Sequence, residues 1–212
     1  MLSTLRRHLR ERGVRKTMQA VGRRLLRPLY SEQRMIVTEK DLSSIVESWQ
    51  AEGSRVEELT PSHLPPLSVL NRKRGQPEVD RRFERYVEQG FHGFVAFNGD
   101  ELVGYYWWVD RDAKRPFPDL RKLGLGIDLA EGEVYGSDFF LLEEHRGGGF
   151  SADILFKIER ALRDRGYIRL WGYIDPSNRP ARWIYSTRGY RPMWTVRQRR
   201  LLFFTHATRE PA

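Results

Sequence analysis

Arg146, Gly147, Gly148, Gly149, Phe150 and Ser151 are consecutive in the chain. They follow an apolar run that ends Phe139-Phe140-Leu141-Leu142-Glu143-Glu144-His145 and open a stretch in which Ile154, Leu155, Ile158, Ala161 and Leu162 recur at helical spacing. A helix start presents unpaired N–H groups and the positive end of the helix dipole, and glycines before it let an anion approach the backbone closely. The guest such an arrangement suits is a phosphate or pyrophosphate, with Ser151 placed to cap the helix. A P-loop is excluded, because no lysine follows the glycines. Gly147, Gly149 and Ala152 also fit the spacing of a dinucleotide fold, with Asp175 after the next strand. That site belongs in the first of several βαβ units, whereas here a hairpin precedes it and only one further strand–helix unit follows.

A second group lies downstream. Asn178, Ala181, Tyr185, Gly189 and Tyr190 are spaced so that the first three share a short helical stretch and Gly189 stops it. A phenol can deliver a proton to a leaving group, and a helix tyrosine can equally pack on a sheet. Carboxylates that could take up a proton are Asp138, Glu143 and Glu144, with His145 beside them. A solvated strand end is the alternative use of Glu143 and Glu144.

The elements that position these groups follow from periodicity. Met35–Val37 reads as a short strand and 41–52 as a helix capped by Asp41 or Ser43. Residues 53–78 are rich in Pro, Ser and charge and read as loop, and 79–90 as a helix stopped by Gly90. Residues 92–110 are two strands around Asn98-Gly99-Asp100, a hairpin signal. The 111–132 connection is long enough to act as a lid over a cleft, and its Lys114, Arg115, Arg121 and Lys122 could meet an acidic acceptor or be solvated. Strands over 133–144 and 168–175, helices over 151–165 and 178–189, and one or two strands over 195–204 complete the order. Tyr105, Tyr106, Trp107 and Trp108 alternate across two faces of one strand, so half belong to the core and half could line a cleft. The order implies a mixed α/β (α+β) domain of three layers around a mixed sheet.

The motif from Arg146 to Ser151 resembles the Arg/Gln-x-x-Gly-x-Gly/Ala loop of the GNAT superfamily of acyl-CoA N-acyltransferases. The segment from Asn178 through Ala181 and Tyr185 to Gly189-Tyr190 is similar to that family's Asn-x-x-Ala-x-x-x-Tyr-x-x-x-Gly-Phe/Tyr pattern. The two stand in the family's order, separated by one helix and one strand, and the resemblance covers about residues 33–205. Ser151 departs from the usual Gly or Ala. The resemblance implies a twisted sheet splayed at the donor site, and a backbone of Phe140, Leu141 and Leu142 that pairs with pantetheine. It further implies amides of Arg146, Gly147, Gly148, Gly149, Phe150 and Ser151 around the pyrophosphate, with Asn178 and Ala181 along the pantetheine arm. Tyr185 would protonate the departing sulfur, and Glu143 or Glu144 would be the base. The donor so implied is acetyl-CoA or another acyl-CoA, the acceptor a small-molecule or protein amine, and no metal takes part. Two alternatives stay open: acyl transfer from an acyl carrier protein, and a non-catalytic domain of the same fold that binds a membrane or polyanion.

The formal charge of +9 is uneven. Residues 1–30 hold nine basic side chains and one acidic, whereas residues 31–212 hold 28 basic and 27 acidic. The first segment therefore reads as a basic amphipathic helical extension and 31–212 as the acyltransferase domain. The extension could meet an anionic membrane surface, an acidic carrier protein, or the domain itself, including across a homodimer. Nucleic acid is disfavoured, since no aromatic residues interleave its charges. The chain has no cysteine, which excludes disulfides, thiolate catalysis and thiolate metal ligands. No spanning or secretory segment is apparent, and a cytoplasmic location, with or without peripheral membrane contact, is the expectation.

Overall fold

The computed structural model describes residues 30–45, 53–146, 149–202 and 204–211. The helical reading of the basic segment and most of the helix read over 41–52 lie outside these residues.

Eight strands form one sheet: β1 (Tyr30–Asp41), β2 (Ser54–Glu58), β3 (His92–Asn98), β4 (Glu101–Asp110), β5 (Glu133–Leu141), β6 (Arg169–Ile174), β7 (Arg191–Leu201) and β8 (Phe204–Pro211). Their spatial order is β2-β3-β4-β5-β6-β1-β7-β8. The β5–β6 pair is parallel and the other described pairs are antiparallel. The helices are α1 (Leu64–Lys73), α2 (Asp80–Glu88), α3 (Pro118–Lys122), α4 (Phe150–Asp164) and α5 (Arg179–Thr187).

Side-chain alternation on β4 sorts the helices into two layers. Trp107 is fully buried against Phe83 and Tyr86 of α2, at 5.2 and 5.1 Å between ring centroids. Trp108 faces the other way and packs on Tyr167, just past α4, at 5.3 Å. Strand β4 is buried on both faces, so all four of its aromatic residues lie in the core.

Three expectations change. Residues 53–78 are not loop: they hold β2 and α1. The prolines that suggested a break, Pro65 and Pro66, sit at the start of α1, where a missing N–H costs nothing. Pro118 starts α3 in the same way inside the 111–132 connection. That connection is anchored rather than loose: Phe117 and Leu125 are buried, and Trp194 Nε1 donates to the Leu125 carbonyl at 3.0 Å. Finally, β1 runs twelve residues and occupies the sheet interior between β6 and β7, with Asp41 closing it in a turn that accepts from Ser43 N–H at 2.8 Å. Glu39 and Lys40 are buried there although charged; Glu39 is held by Arg169 and Arg191.

Candidate active site

Strands β5 and β6 pair only from Glu133 to Tyr135 against Arg169 to Trp171. The closed end is pinned by Glu133, which accepts from Arg169 at 2.6 Å and from Trp171 Nε1 at 2.9 Å. Beyond Tyr135 the strands part. The gap is a cleft of about 280 Å³ walled by Gly136, Ser137, Asp138 and Phe139 of β5, by Tyr173 and Ile174 of β6, and by Asn178, Ala181 and Tyr185 of α5. Tyr106 reaches the same cleft from β4. Gly136 makes that possible, because a Cβ there would overlap the Tyr106 hydroxyl.

The β4–β5 register slips within this wall. Tyr105 pairs with Phe140 and Trp107 with Ser137, so two residues, Asp138 and Phe139, oppose Tyr106 alone. That is a β-bulge, and bulges re-aim side chains. Asp138 carries the strain: its φ is 54°, left-handed backbone that aspartate tolerates better than most residues. Its carboxylate accepts from Arg82 of α2 at 2.6 Å. Burial outweighs that guanidinium and Arg74, and pushes the Asp138 carboxyl above the usual aspartate range, with Asp119 adding to the rise. Asp119 is tied to the same wall by the Ser137 hydroxyl at 2.9 Å.

Tyr185 packs on Tyr190 at 4.3 Å between centroids and lines the cleft. Burial, with the nearby Glu159 carboxyl, pushes its phenol above the ordinary value, so it stays protonated at neutral pH. Glu159 itself is fully buried on α4 and paired with Arg188 at 2.5 Å.

After Leu142 comes a single 3-10 turn, Glu143–His145. Gly149, with φ 82°, begins α4 in the left-handed conformation that glycine adopts freely. Ser151 lies one residue inside the helix and is not its cap; its hydroxyl instead closes the turn on the Arg146 carbonyl at 3.3 Å. Arg146 folds back so that Nε donates to the Leu141 carbonyl at 2.8 Å. Gly147 and Gly148 lie outside the described residues.

The Acetyltransferase (GNAT) family model matches residues 56–190, more than half of the chain. The chain belongs to the GNAT family. Solved structures of GNAT proteins share the fold at low identity. One is the glucosamine N-acetyltransferase region of a fungal multi-domain GH3 β-N-acetylglucosaminidase, at 15% identity and TM-score 0.59 over 86% of this chain and 22% of that one. Another is an acetyltransferase assigned to the GNAT family from Novosphingobium aromaticivorans, at 16% identity and TM-score 0.51 over 82% and 67%. A third is a tandem GNAT protein of the clavulanic acid pathway, at 14% identity and TM-score 0.51 over 94% and 59%. The GNAT chain thus spans under a quarter of the first of these, about two thirds of the second and less than two thirds of the third. No curated protein matched it.

Within the GNAT fold the residues singled out from sequence divide. Asn178, Ala181 and Tyr185 meet at the cleft. Asn178 also caps α5, accepting from the Ala181 N–H at 3.1 Å, so its NH₂ is the donor it brings to the cleft. The Phe140 side chain turns away, stacked on Tyr105 at 5.4 Å and lying under the Arg74 guanidinium at 4.0 Å. Leu141, Leu142 and Phe150 are core side chains. Glu143 and Glu144 are exposed on the 3-10 turn, and neither lines the cleft. His145 packs on Phe150 and beside Asn98 of the hairpin. The carboxylates that do line the cleft are Asp138 and, past the end of β6, Asp175; Asp138 is the one on the parted strand. Its sequence neighbours gave no sign of a bulge, and only the slip in pairing reveals its aim.

Proposed function

We propose that this GNAT chain is an acyl-CoA-dependent N-acyltransferase that moves an acetyl group from acetyl-CoA to an amine by direct attack in a ternary complex. One observation carries the reading: β5 loses its β6 partner at Gly136 and then runs, unpaired on that side, to Leu141, a short 3-10 turn before the Gly149 start of α4. An extended pantetheine arm can add to such a strand edge as a further strand would, while the helix start receives the pyrophosphate.

The residues then have separate tasks. Backbone N–H groups of β5 at the bulge polarise the thioester carbonyl and hold the oxyanion. Asp138, whose carboxyl burial raises above the usual aspartate range, accepts the proton that the attacking amine releases. The N–C bond forms, the C–S bond breaks, and Tyr185 gives its proton to the departing sulfur. Water around the cleft returns the proton to Tyr185 and removes the one on Asp138. Asp119, Asp138 and Asp175 set an acidic character around the mouth that favours a cationic amine over an anionic acceptor. Asp175 remains ionised, because the Ser177 hydroxyl and N–H hold its carboxyl below the usual range.

The test is a thiol-release assay with acetyl-CoA against a panel of primary amines and polyamines. Amine-dependent release of coenzyme A that Asp138→Asn removes supports the reading. Release that no amine stimulates, or that Asp138→Asn leaves unchanged, refutes it.

A further inference from the structure

The β7–β8 hairpin ends on residues that turns seldom use. Its sequence there is Leu201-Leu202-Phe203-Phe204, with Phe203 outside the described residues. Tight turns favour Gly, Asn and Asp. Leu202 instead adopts φ 54°, a left-handed conformation rare for a bulky apolar side chain.

Register spreads the apolar character over three strands. Leu201 pairs with both Tyr30 of β1 and Phe204 of β8, so these three side chains form one row on one sheet face. The row and the turn are exposed: Tyr30 by 47%, Leu201 by 56%, Leu202 by 44% and Phe204 by 80%. Single exposed apolar residues are ordinary, but a contiguous group marks an interaction site.

Charge surrounds the group. The next rows on that face are Glu32, Arg199 and His206, then Arg34, Arg197 and Thr208, while Arg200 stands on the other face. Three arginines on this face thus surround one glutamate close to the tip, and Arg200 adds a fourth guanidinium on the other face. Tyr30 is also where residues 1–29 join, and these carry nine basic side chains against one acidic. The arginines of β1 and β7 and the exposed apolar side chains therefore meet at the same end of the sheet.

We propose that the hairpin tip docks this protein on an anionic phospholipid bilayer. Leu201, Leu202 and Phe204 enter the headgroup region, and the surrounding arginines meet the lipid phosphates and carboxylates. Four exposed apolar side chains make a small patch beside the ~800 Å² per partner of a stable protein interface. A bilayer asks only for an apolar wedge and positive charge together.

The absence of cysteine allows a direct test on the full chain. Phe204→Cys, labelled with a polarity-sensitive fluorophore, is mixed with phosphatidylcholine vesicles, with and without phosphatidylserine. The expected result is a blue-shifted, brighter emission only with phosphatidylserine, reversed by high salt. The double variant Leu201→Ser, Phe204→Ser is expected to sediment with those vesicles about tenfold more weakly, with an unchanged circular dichroism spectrum. The proposal is overturned if the protein ignores phosphatidylserine vesicles, or if it sediments with them while the label does not respond. It is equally overturned if the blue shift appears without lipid and grows with protein concentration, which would assign the tip to a second copy of the chain.

Discussion

Arg82 of helix α2 donates to Asp138 of strand β5 across 2.6 Å, and so ties a helix to the one strand position in the cleft with left-handed backbone. The pair sits where the sheet divides, and its charge balance decides when Asp138 can accept a proton. Arg82 lowers the Asp138 pKa and burial raises it further than Arg82 lowers it. Removing the guanidinium should therefore move the acidic limb of the kcat/KM profile to higher pH, by about one unit or more. Profiles of Arg82→Ala and Arg82→Lys check this, with the lysine variant expected to lie between.

Asp138 should also cost stability. Its folded pKa lies above the unfolded value of 3.8, so ionisation disfavours the folded state. The penalty is absent at low pH, where Asp138 is protonated in both states, and is present in full once pH has risen past the folded pKa. Asp138→Asn keeps the shape, suits the left-handed backbone and carries no charge. It should melt higher than the parent at neutral pH, with the difference vanishing toward pH 4 and below, while activity is lost. Thermal melts across pH measure this directly.

Tyr185→Phe removes the proposed proton donor and keeps the ring that packs on Tyr190. Turnover should fall by about 10²–10⁴, the usual contribution of a positioned acid. Affinity for acetyl-CoA should change little. A loss of affinity at unchanged turnover would make Tyr185 a binding residue.

Glu159 and Arg188 form a buried pair behind the cleft, at 2.5 Å. Arg188→Ala leaves a buried carboxyl without its guanidinium and should cost about 3–5 kcal/mol. The double change Glu159→Leu, Arg188→Leu should recover most of that. Denaturant midpoints of the three variants against the parent decide it.

Much of this arrangement is legible in the sequence because local chemistry is unambiguous there. Asn98-Gly99-Asp100 between apolar strands specifies a hairpin, and the glycines before an amphipathic run specify a helix start. The two motifs spaced from Arg146 to Tyr190 place Asn178, Ala181 and Tyr185 together. What escapes is set by tertiary context. The buried charges Glu39 and Lys40 look like surface residues until arginines from β6 and β7 pair with Glu39, which hides a central strand. Pro65, Pro66 and Pro118 signal breaks when read alone, yet each begins a helix. Glu143 and Glu144 stand nearer to the motif than Asp138 does, but the bulge turns Asp138 into the cleft and the 3-10 turn carries the two glutamates out to solvent.

The central claim is that the glycine turn and the parted strands bind an acyl-CoA. The most direct measurement is calorimetric titration of the chain with acetyl-CoA, with NADH and ATP as controls, repeated on Gly149→Asp and Gly149→Asn. Both variants bear the strain of a side chain at φ 82°, but only aspartate sets a negative charge at the helix start. The account predicts selective binding of acetyl-CoA by the parent, retained in weakened form by the asparagine variant and abolished by the aspartate variant in a protein that remains folded. An acetyl-CoA affinity indifferent to the aspartate, or no binding at all by the parent, would contradict it.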